Sequence, residues 1–384
     1  MKIGITCYPT FGGSGVLATE LGKALAIRGH EIHFIAYALP QRLAHIEENL
    51  FFHEVHVNTY PLFEFPPYSL ALTSKMVDVV RHAGLDLLHV HYAIPHATSA
   101  VQARDILSAS GIRIPVVTTL HGTDITLVGQ DPSYAPVVTH SINQSDGVTA
   151  VSEYLRKETF EQFQITKDIH VIPNFVDTSR FRRQHKQHFK RVLCPDGEKV
   201  VVHVSNFRKV KRAREVVKIF ARLLDRGLQL KLILVGDGPE RIPTEELARK
   251  LGVYQHCRFL GKQGPVEEIL SIGDLFLMPS GSESFGLAAL EAMSCSVPAL
   301  TSSIGGLPEL NIDGETGFLC DLDDTECFVD HAAAILSDDD LQKRMAAAAR
   351  ARAVDKFDIT KIVPQYESYY KEVVGSRELL PSET

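Results

Sequence analysis

The chain has 384 residues, of which 45% are hydrophobic and 23% charged, and its formal net charge is −7. This length suggests two or three domains, and the composition is ordinary for a folded globular protein. The negative balance argues against non-specific nucleic-acid binding and against a surface that binds anionic lipid. Any anionic ligand must therefore be bound by a local cluster of lysine and arginine side chains.

The sequence carries no sign of export or of membrane insertion. A predicted strand begins at Lys2, so no signal peptide is expected, and no apolar run approaches the roughly 20 residues of a membrane span. We therefore expect a cytoplasmic protein. Because the cysteines include no C-x-x-C pair, neither a zinc site nor a disulfide framework is expected. The six are Cys7, Cys194, Cys257, Cys295, Cys320 and Cys327.

The first half of the chain alternates short apolar runs with helical stretches. Such alternation predicts a parallel sheet covered on both faces. The predicted strands are residues 3–7, 31–36, 87–91, 116–120 and 148–151. The predicted helices are residues 18–28, 69–83 and 97–109.

The same pattern restarts after residue 198, which indicates a second sheet of similar size and an α/β fold class. Its predicted strands are residues 199–204, 230–235, 257–260, 275–278 and 297–300, and its predicted helices are residues 213–226, 243–250, 266–272 and 287–294. Residues 172–177 contain a proline and form a plausible hinge between the halves. The basic stretch 180–191 is typical of a solvated surface helix, and a last helical segment covers 362–373.

A glycine loop follows the first strand and precedes a helix. Gly13, Gly15 and Ala18 satisfy the degenerate dinucleotide fingerprint, so a nicotinamide enzyme is one alternative. That alternative requires an acidic residue at the end of the second strand, but Glu31 stands at its start. We favour a loop whose backbone N–H groups, at Gly15 especially, approach a diphosphate, and a plain tight turn remains the other alternative.

Two glutamates, Glu283 and Glu291, frame a segment that looks built to hold a sugar nucleotide. Gly286 opens the loop, and strong helix formers from Leu287 onward predict a helix start. Free N–H groups and the positive dipole end at such a start suit a phosphate. The carboxylates can accept hydrogen bonds from sugar and ribose hydroxyls, although bare glutamate spacing alone would indicate only an acidic helix.

Polar residues also follow the predicted strand 116–120. His121 stands where ligands bind in parallel sheets, and it could donate a hydrogen bond to a sugar hydroxyl or to developing charge. His89 and His91 share a strand face, but zinc needs three or four converging ligands, so a metal site is disfavoured here. Tyr92, at the strand end, is a better candidate for an acceptor pocket.

A cationic stretch comes directly after the first strand of the second half. Arg208 and Lys211 lie at a predicted ligand edge, where an arginine fork and a lysine point charge suit a pyrophosphate leaving group. A solvated surface charge run is the alternative.

The E-x7-E segment from Glu283 to Glu291 resembles the signature of retaining GT-B glycosyltransferases of the family-4 type. The opening run Ile3 to Pro9 and the stretch Ser205 to Arg212 resemble most closely the branch that makes N-acetylglucosaminyl L-malate in bacillithiol biosynthesis. The resemblance covers nearly the whole chain. In relatives the first cation of the basic stretch stands where Asn206 falls here, so Arg208 must take that role.

This resemblance implies two Rossmann-like doubly wound domains that face an interdomain cleft. The expected domains are an acceptor-binding domain (1–171), a nucleotide-sugar domain (172–360) and a C-terminal helix (361–384) that crosses back to the first. It implies retaining transfer of N-acetylglucosamine from UDP-GlcNAc to the hydroxyl of L-malate. No metal or cofactor beyond the UDP-sugar is expected, and a homodimer is left open.

The resemblance and the residue patterns together predict the following site. The expected catalytic residues are His121, Glu283, Arg208 and Lys211. The expected donor-binding residues are Gly13, Gly15, Asn206, Gly236, Leu260, Gly261, Phe285, Gly286, Leu287 and Glu291, with Leu260 and Gly261 against the uracil ring. The expected acceptor-binding residues are Ser14, Lys75, Tyr92 and Thr119.

Two alternatives to this function remain. A related enzyme that glycosylates a membrane lipid would want a basic amphipathic surface, but the aromatic segment 60–68 contains Glu64 and no lysine or arginine. A noncatalytic sugar-nucleotide sensor would retain the same donor motifs.

Overall fold

A computed structural model of the chain describes residues 1–10, 12–43, 48–57, 64–184 and 187–378. The aromatic segment 60–68 lies partly outside these residues. The chain divides into two compact units, one of Met1–Asn174 with Ile359–Thr384 and one of Phe175–Asp358. Within the described ranges, no helix is both long and apolar enough to cross a membrane.

The first unit contains a seven-stranded sheet in which every strand pair is parallel. The strands are β1 (Lys2–Thr6), β2 (Glu31–Ala36), β3 (Leu50–Glu54), β4 (Leu87–His91), β5 (Val116–Leu120), β6 (Gly147–Ala150) and β7 (His170–Val171). The helices are α1 (Gly13–Ile27), α2 (Tyr68–Val79), α3 (Thr98–Ser108), α4 (Ala135–Gln144) and α5 (Glu153–Gln162). The strand order is β3-β2-β1-β4-β5-β6-β7.

The second unit repeats this plan with six parallel strands in the order β10-β9-β8-β11-β12-β13. The strands are β8 (Lys199–Val204), β9 (Leu230–Val235), β10 (Cys257–Gly261), β11 (Leu275–Met278), β12 (Ala299–Ser302) and β13 (Gly317–Cys320). The helices are α6 (Gln187–Leu193), α7 (Ala213–Asp225), α8 (Arg241–Lys250), α9 (Val266–Leu270), α10 (Leu287–Ser294), α11 (Leu307–Leu310), α12 (Thr325–Ser337) and α13 (Asp339–Phe357).

The predicted class of two doubly wound parallel sheets is confirmed. In each unit the strand order reverses once, between β1 and β4 in the first sheet and between β8 and β11 in the second. Ligands of open α/β sheets bind outside the carboxyl ends of the strands at such a reversal. The glycine loop follows β1 and Tyr92 follows β4, while the cationic stretch follows β8 and Glu283 follows β11.

The cysteine prediction is wrong at one pair. Cys320 and Cys327 form a disulfide, which links the end of β13 to the first turn of α12. The search for C-x-x-C motifs does not detect this disulfide, because its two cysteines are seven residues apart and are brought together by the fold. The other four cysteines are buried free thiols, and burial raises the pKa of Cys7 to about 12.

The last helix, α14 (Ile359–Glu378), packs within the first unit, against α1 and the sheet. Glu367 accepts hydrogen bonds from Arg28 Nε at 2.9 Å and Arg28 Nη2 at 2.6 Å, and it lies 2.9 Å from His30 Nε2. Further along α14, the Tyr370 hydroxyl lies 2.8 Å from Nδ1 of the buried His89. The first unit is therefore completed by a segment remote in sequence.

Replacing Glu367 with glutamine should loosen this helix. The bonds from Arg28 lower the pKa of Glu367 to about 2, and a charge-assisted bond is worth about 1.5–3 kcal/mol. We expect Glu367→Gln to lower the free energy of unfolding by about 1–2 kcal/mol at neutral pH, after allowance for the half-exposed Arg28. A carboxyl group whose pKa is lower in the folded state than in the unfolded state stabilises the fold at pH values above its unfolded-state pKa. The extra stability of the wild type should therefore vanish as the pH falls from about 4.5 toward 2.

Urea unfolding of both proteins across this pH range measures the difference. Glu246→Gln, at an exposed position on α8, is the matched control and should match the wild type throughout. An equal loss in both variants would contradict the role given to Glu367.

Candidate active site

The loop after β8 is held by close backbone packing against the loop after β9. Gly236 has φ 117°, and a Cβ there would lie 1.8 Å from the Ser205 carbonyl oxygen. A Cβ on Gly238 would lie 2.0 Å from the Asn206 carbonyl oxygen. Only glycine can occupy these two positions, since a side chain at either one would push the neighbouring backbone away. The predicted donor-binding residues Asn206 and Gly236 are thereby brought together.

Lys211 and Glu283 form an ion pair at the point where the second sheet reverses its order. Lys211 Nζ lies 2.6 Å from Glu283 Oε1, and the side chains are only 22% and 10% exposed. Beside this pair, the N–H of Gly281 donates to the carbonyl of Val210 at 2.7 Å. The two predicted catalytic residues are therefore in direct contact, which their spacing in the sequence does not predict.

Arg208 stands one helical turn before Lys211 at an exposed position. Its carbonyl accepts from the N–H of Lys211 at 2.8 Å. Within the described part of the chain, its guanidinium makes no ion pair. The loop thus presents one cation that is paired and one that faces solvent.

A buried histidine that the sequence analysis missed lies beneath this loop. His203 Nδ1 is 2.9 Å from the Leu277 carbonyl, so it must carry the proton, while Nε2 lies 2.9 Å from the Ser205 hydroxyl and accepts from it. Burial lowers the pKa of His203 to about 4. This neutral ring positions Ser205, whose oxygen also accepts from the N–H of Phe207 at 3.3 Å. The sequence feature that could have identified His203 is a histidine within an otherwise apolar strand.

The segment from Glu283 to Glu291 turns into α10 as predicted. Gly286 caps the helix with φ 96°, and the N–H of Gly306 donates to the Glu283 carbonyl at 3.0 Å. The Phe285 ring is buried and packs edge-on against Phe357, with centroids 5.4 Å apart. Phe285 can therefore offer a ligand only its backbone. Leu287 begins the helix, and the buried Glu291 lies one turn further on.

The end of β10 is irregular at the predicted uracil contact. The register with β9 shifts between Phe259 and Gly261, which leaves Leu260 out of the regular pairing. The Gly261 carbonyl accepts from the N–H of Gly236 at 2.8 Å, and the Leu260 carbonyl accepts from Gln263 Nε2 at 2.5 Å. The first contact joins the ends of β9 and β10, and the second lies within the turn that follows β10.

In the first unit, the glycine loop packs tightly against the end of β1. A Cβ on Gly15 would lie 2.2 Å from the Tyr8 carbonyl oxygen, and α1 begins at Gly13 without a side-chain cap. The Ser14 hydroxyl lies 2.7 Å from the Tyr92 hydroxyl. Because burial raises the pKa of Tyr92 to about 12, this phenol stays protonated. Two predicted acceptor-binding residues therefore meet at the strand reversal.

His121 belongs to a cluster of buried histidines. Its Nε2 lies 2.8 Å from His91 Nδ1, and its ring centroid is 5.2 Å from that of Tyr92. Burial lowers the pKa of His121 to about 3, so the ring is neutral at neutral pH. A candidate ligand contact here must therefore be a hydrogen bond rather than an ion pair.

Asp124 positions this histidine loop, and the sequence analysis assigned it no role. One carboxylate oxygen accepts from the N–H groups of His121 at 3.3 Å and Gly122 at 3.0 Å, and the other from Ala93 at 2.9 Å. Asp124 is buried, and burial raises its pKa while these backbone bonds oppose the rise. The carboxylate ties the loop after β5 to the loop after β4.

Thr119 and Lys75 do not join this group. The Thr119 hydroxyl is buried and lies 2.7 Å from both His89 Nε2 and the Thr149 hydroxyl, so an acceptor-binding role is not supported. Lys75 lies on α2, where its Nζ is 3.3 Å from Asp78 Oδ2. Within the described residues, no contact links Lys75 to Ser14 or Tyr92.

Comparisons with known proteins show the family to which the chain belongs. The family described as "Glycosyltransferase Family 4" matches residues 11–180, and "Glycosyl transferases group 1" matches residues 184–352. The chain is 49% identical over 375 residues to the N-acetyl-alpha-D-glucosaminyl L-malate synthase of Bacillus anthracis, covering 97% of each chain. The chain belongs to the family-4 glycosyltransferases. The family resemblance read from the sequence is thereby confirmed.

More distant relatives place this glycosyltransferase in the GT-B fold. It is 26% identical to D-inositol 3-phosphate glycosyltransferase of Nocardia farcinica, covering 89% of this chain and 81% of that one. Sucrose-phosphate synthase of Thermosynechococcus elongatus superposes with a TM-score of 0.82 at 20% identity, covering 98% and 100% of the two chains. Anabaena Alr3699/HepE, solved in complex with UDP-glucose, gives a TM-score of 0.81 at 20% identity, covering 97% and 100%.

The close packing at Gly236 can be tested directly through the loops after β8 and β9. We expect Gly236→Ala to lower the free energy of unfolding by about 1–3 kcal/mol more than Gly252→Ala, which is the typical cost of overpacking. Gly252 has φ 72°, and a Cβ there would meet no atom within 4 Å, so its substitution introduces only the backbone strain. Urea unfolding of both variants measures this difference, and equal losses would show that the contact with Ser205 does not constrain the loop.

Proposed function

We propose that this glycosyltransferase transfers N-acetylglucosamine from UDP-GlcNAc to the hydroxyl of L-malate with retention of anomeric configuration, as the first step of bacillithiol biosynthesis. The observation that carries the proposal is the 49% identity, over 97% of both chains, to the Bacillus anthracis synthase. The proposal includes the cytoplasmic location that the sequence leads us to expect. An aqueous site suits two small charged substrates, because their burial in a bilayer is costly.

The second unit is proposed to bind the donor. Arg208 and Lys211 would neutralise the diphosphate, aided by the N–H groups at the start of α10. Such preorganised donors stabilise charge that develops on a leaving group. Glu283, which already holds Lys211 at 2.6 Å, would orient the donor sugar beside that cation, and Glu291 would accept hydrogen bonds from the ribose.

The chemistry is proposed to proceed by front-side attack. The malate hydroxyl oxygen forms the new bond to the anomeric carbon as the bond to the diphosphate breaks, and the departing phosphate oxygen takes the hydroxyl proton. The protein cations named above would stabilise the leaving charge without a metal ion. His121, whose pKa burial lowers to about 3, would contribute as a neutral hydrogen-bonding group.

The acceptor is proposed to bind at the strand reversal of the first unit. The Ser14 and Tyr92 hydroxyls lie 2.7 Å apart, and both can donate to a carboxylate. Beside these hydroxyls, the glycine loop at Gly13 and Gly15, which is predicted to approach the donor diphosphate, offers backbone N–H groups at the start of α1 that suit an anion. Two carboxylates on a small acceptor match this set of donors better than an apolar lipid does.

The deciding experiment follows UDP release by the purified protein. UDP-GlcNAc is supplied with a chelator present, alone, with L-malate, or with a lipid acceptor in detergent. Release that requires malate supports the proposal, and product analysis by NMR should show the α-anomer. Release only with lipid would favour the membrane enzyme, and tight UDP-GlcNAc binding without release would favour a sensor.

Replacing Glu291 with glutamine should weaken UDP binding by about tenfold or more. The charge-assisted bond to the ribose would be lost, and such a bond is worth about 1.5–3 kcal/mol. Calorimetric titration with UDP measures the change, with Glu246→Gln as the exposed control. Wild-type affinity in a normally folded Glu291→Gln protein would remove Glu291 from the donor site.

Replacing Arg208 with alanine should lower kcat by about 10²-fold, the usual loss when one preorganised donor to developing charge is removed. The fold should be unaffected, because Arg208 is exposed. Arg182→Ala, at another exposed arginine of the same unit, is the matched control. If steady-state rates showed both variants equal to the wild type, the diphosphate role would pass to Lys211 and the helix start.

A further inference from the structure

A second group of reactive side chains lies at the end of β13, apart from the residues assigned to sugar transfer. It consists of Cys320, Cys327 and His331, whose sulfur and ring nitrogen atoms all lie within 4.8 Å of one another. Cys320 is buried, and Cys327 and His331 are partly exposed. The two sulfurs are joined as a disulfide. We call these three residues the thiol–imidazole cluster.

The strand β13 and the helix α12 bring all three side chains close together. Cys327 and His331 are four residues apart on α12 and therefore share a face of that helix. Asp324 caps this helix by accepting from the N–H of Cys327 at 2.9 Å. Phe318 and Cys320 are two residues apart on β13 and so share a strand face. The His331 ring stacks on Phe318, with centroids 3.9 Å apart.

A disulfide by itself requires no third residue. The orientation of His331 adds an imidazole to two sulfurs, which is a Cys₂His donor set. Two thiolates and a neutral imidazole prefer zinc over magnesium or calcium, and zinc accepts a water molecule as its fourth ligand. The two thiolate charges would balance the charge of the ion.

We propose that the thiol–imidazole cluster, once its disulfide is reduced, binds one Zn²⁺ ion. Two molecules of a small thiol reduce the Cys320–Cys327 bond and leave as their own disulfide, and the protein gains two thiols. Zinc then binds with release of both thiol protons. Because the same two sulfurs form either the disulfide or the metal bonds, the two states exclude each other.

The segment between the two cysteines contacts the loop that carries Lys211. Arg212 Nη1 donates to the Leu322 carbonyl at 2.9 Å and lies 3.2 Å from Asp323 Oδ1. Thr325 in the same segment donates to Glu215 Oε1 on α7 at 2.7 Å. Either a disulfide or a bound zinc ion would close this segment. Zinc should therefore restore thermal stability that the full-length protein loses on reduction.

The test uses the full-length protein in two redox states. One sample is reduced with a phosphine, freed of reductant under inert gas and titrated with Zn²⁺ against a chromophoric chelator. The other is oxidised with a small disulfide first. The reduced protein should bind one Zn²⁺ per chain, more weakly at lower pH because protons compete for the thiolates. Co²⁺ in its place should give a thiolate charge-transfer absorption band.

Two variants test the ligand assignment. Loss of an outer-shell partner already costs about 10–100-fold in metal affinity, so His331→Ala, which removes a ligand, should weaken zinc binding at least that much. His256→Ala, at a histidine of similar partial exposure in the same unit, is the matched control and should not. Cys327→Ser should abolish the cobalt absorption band.

The proposal would be overturned if reduced wild-type protein bound zinc no more tightly than the oxidised protein. That comparison needs no variant, so it stands even if a substitution prevents folding. Equal affinity of His331→Ala and the wild type would also overturn the three-ligand site. None of these outcomes depends on the proposed sugar transfer, because zinc binding is read directly.

Discussion

The ion pair between Lys211 and Glu283 is the contact on which the second unit's site depends. It joins the loop after β8 to the loop after β11, the two strands that flank the reversal of the sheet. Because both side chains are largely buried, their attraction is screened less than that of a surface pair. Removal of either partner would leave a poorly solvated charge. The pair therefore ties the loop that carries the exposed Arg208 to the loop that precedes α10.

Tight glycine contacts constrain both loops that carry this ion pair. Gly236 and Gly238 let the loop after β9 lie directly on the loop after β8. Gly306 likewise packs closely against the backbone carbonyl of Ser284. Each contact excludes even a methyl group. The site's charged side chains thus stand on a backbone framework with little freedom to move, as preorganised electrostatic stabilisation requires.

The first unit instead has buried histidines that are neutral. Burial lowers the pKa of His89 and of His121 to about 3, so these rings hydrogen-bond without charge. Asp124 fixes the loop that carries His121, and Tyr370 of α14 reaches His89. The surroundings of the candidate acceptor site consequently include a segment from the far end of the chain.

Much of this architecture could be predicted from sequence, because a strand buried on both faces appears as a continuous apolar run. The missed strands lack that pattern: β3 is half exposed, β7 has two residues, and the two central residues of β13 are partly exposed. Helix α13 was missed because its alanine-rich sequence shows no clear apolar period. The structure brings Ser14 and Tyr92 into contact, as expected for residues at neighbouring strand ends. The Thr119 side chain instead lies in the interior against His89 and Thr149, because successive side chains of a strand point to opposite faces of the sheet.

The sequence alone determined the α/β class, the two sheets and the motifs at their strand ends, since these depend on local periodicity and on glycine and charge placement. Tertiary structure decided which side chains touch: Lys211 with Glu283, His121 with His91, and Cys320 with Cys327. Each of these pairs joins segments separated along the chain. Their distances depend on strand order, register and helix packing, which no local spacing encodes.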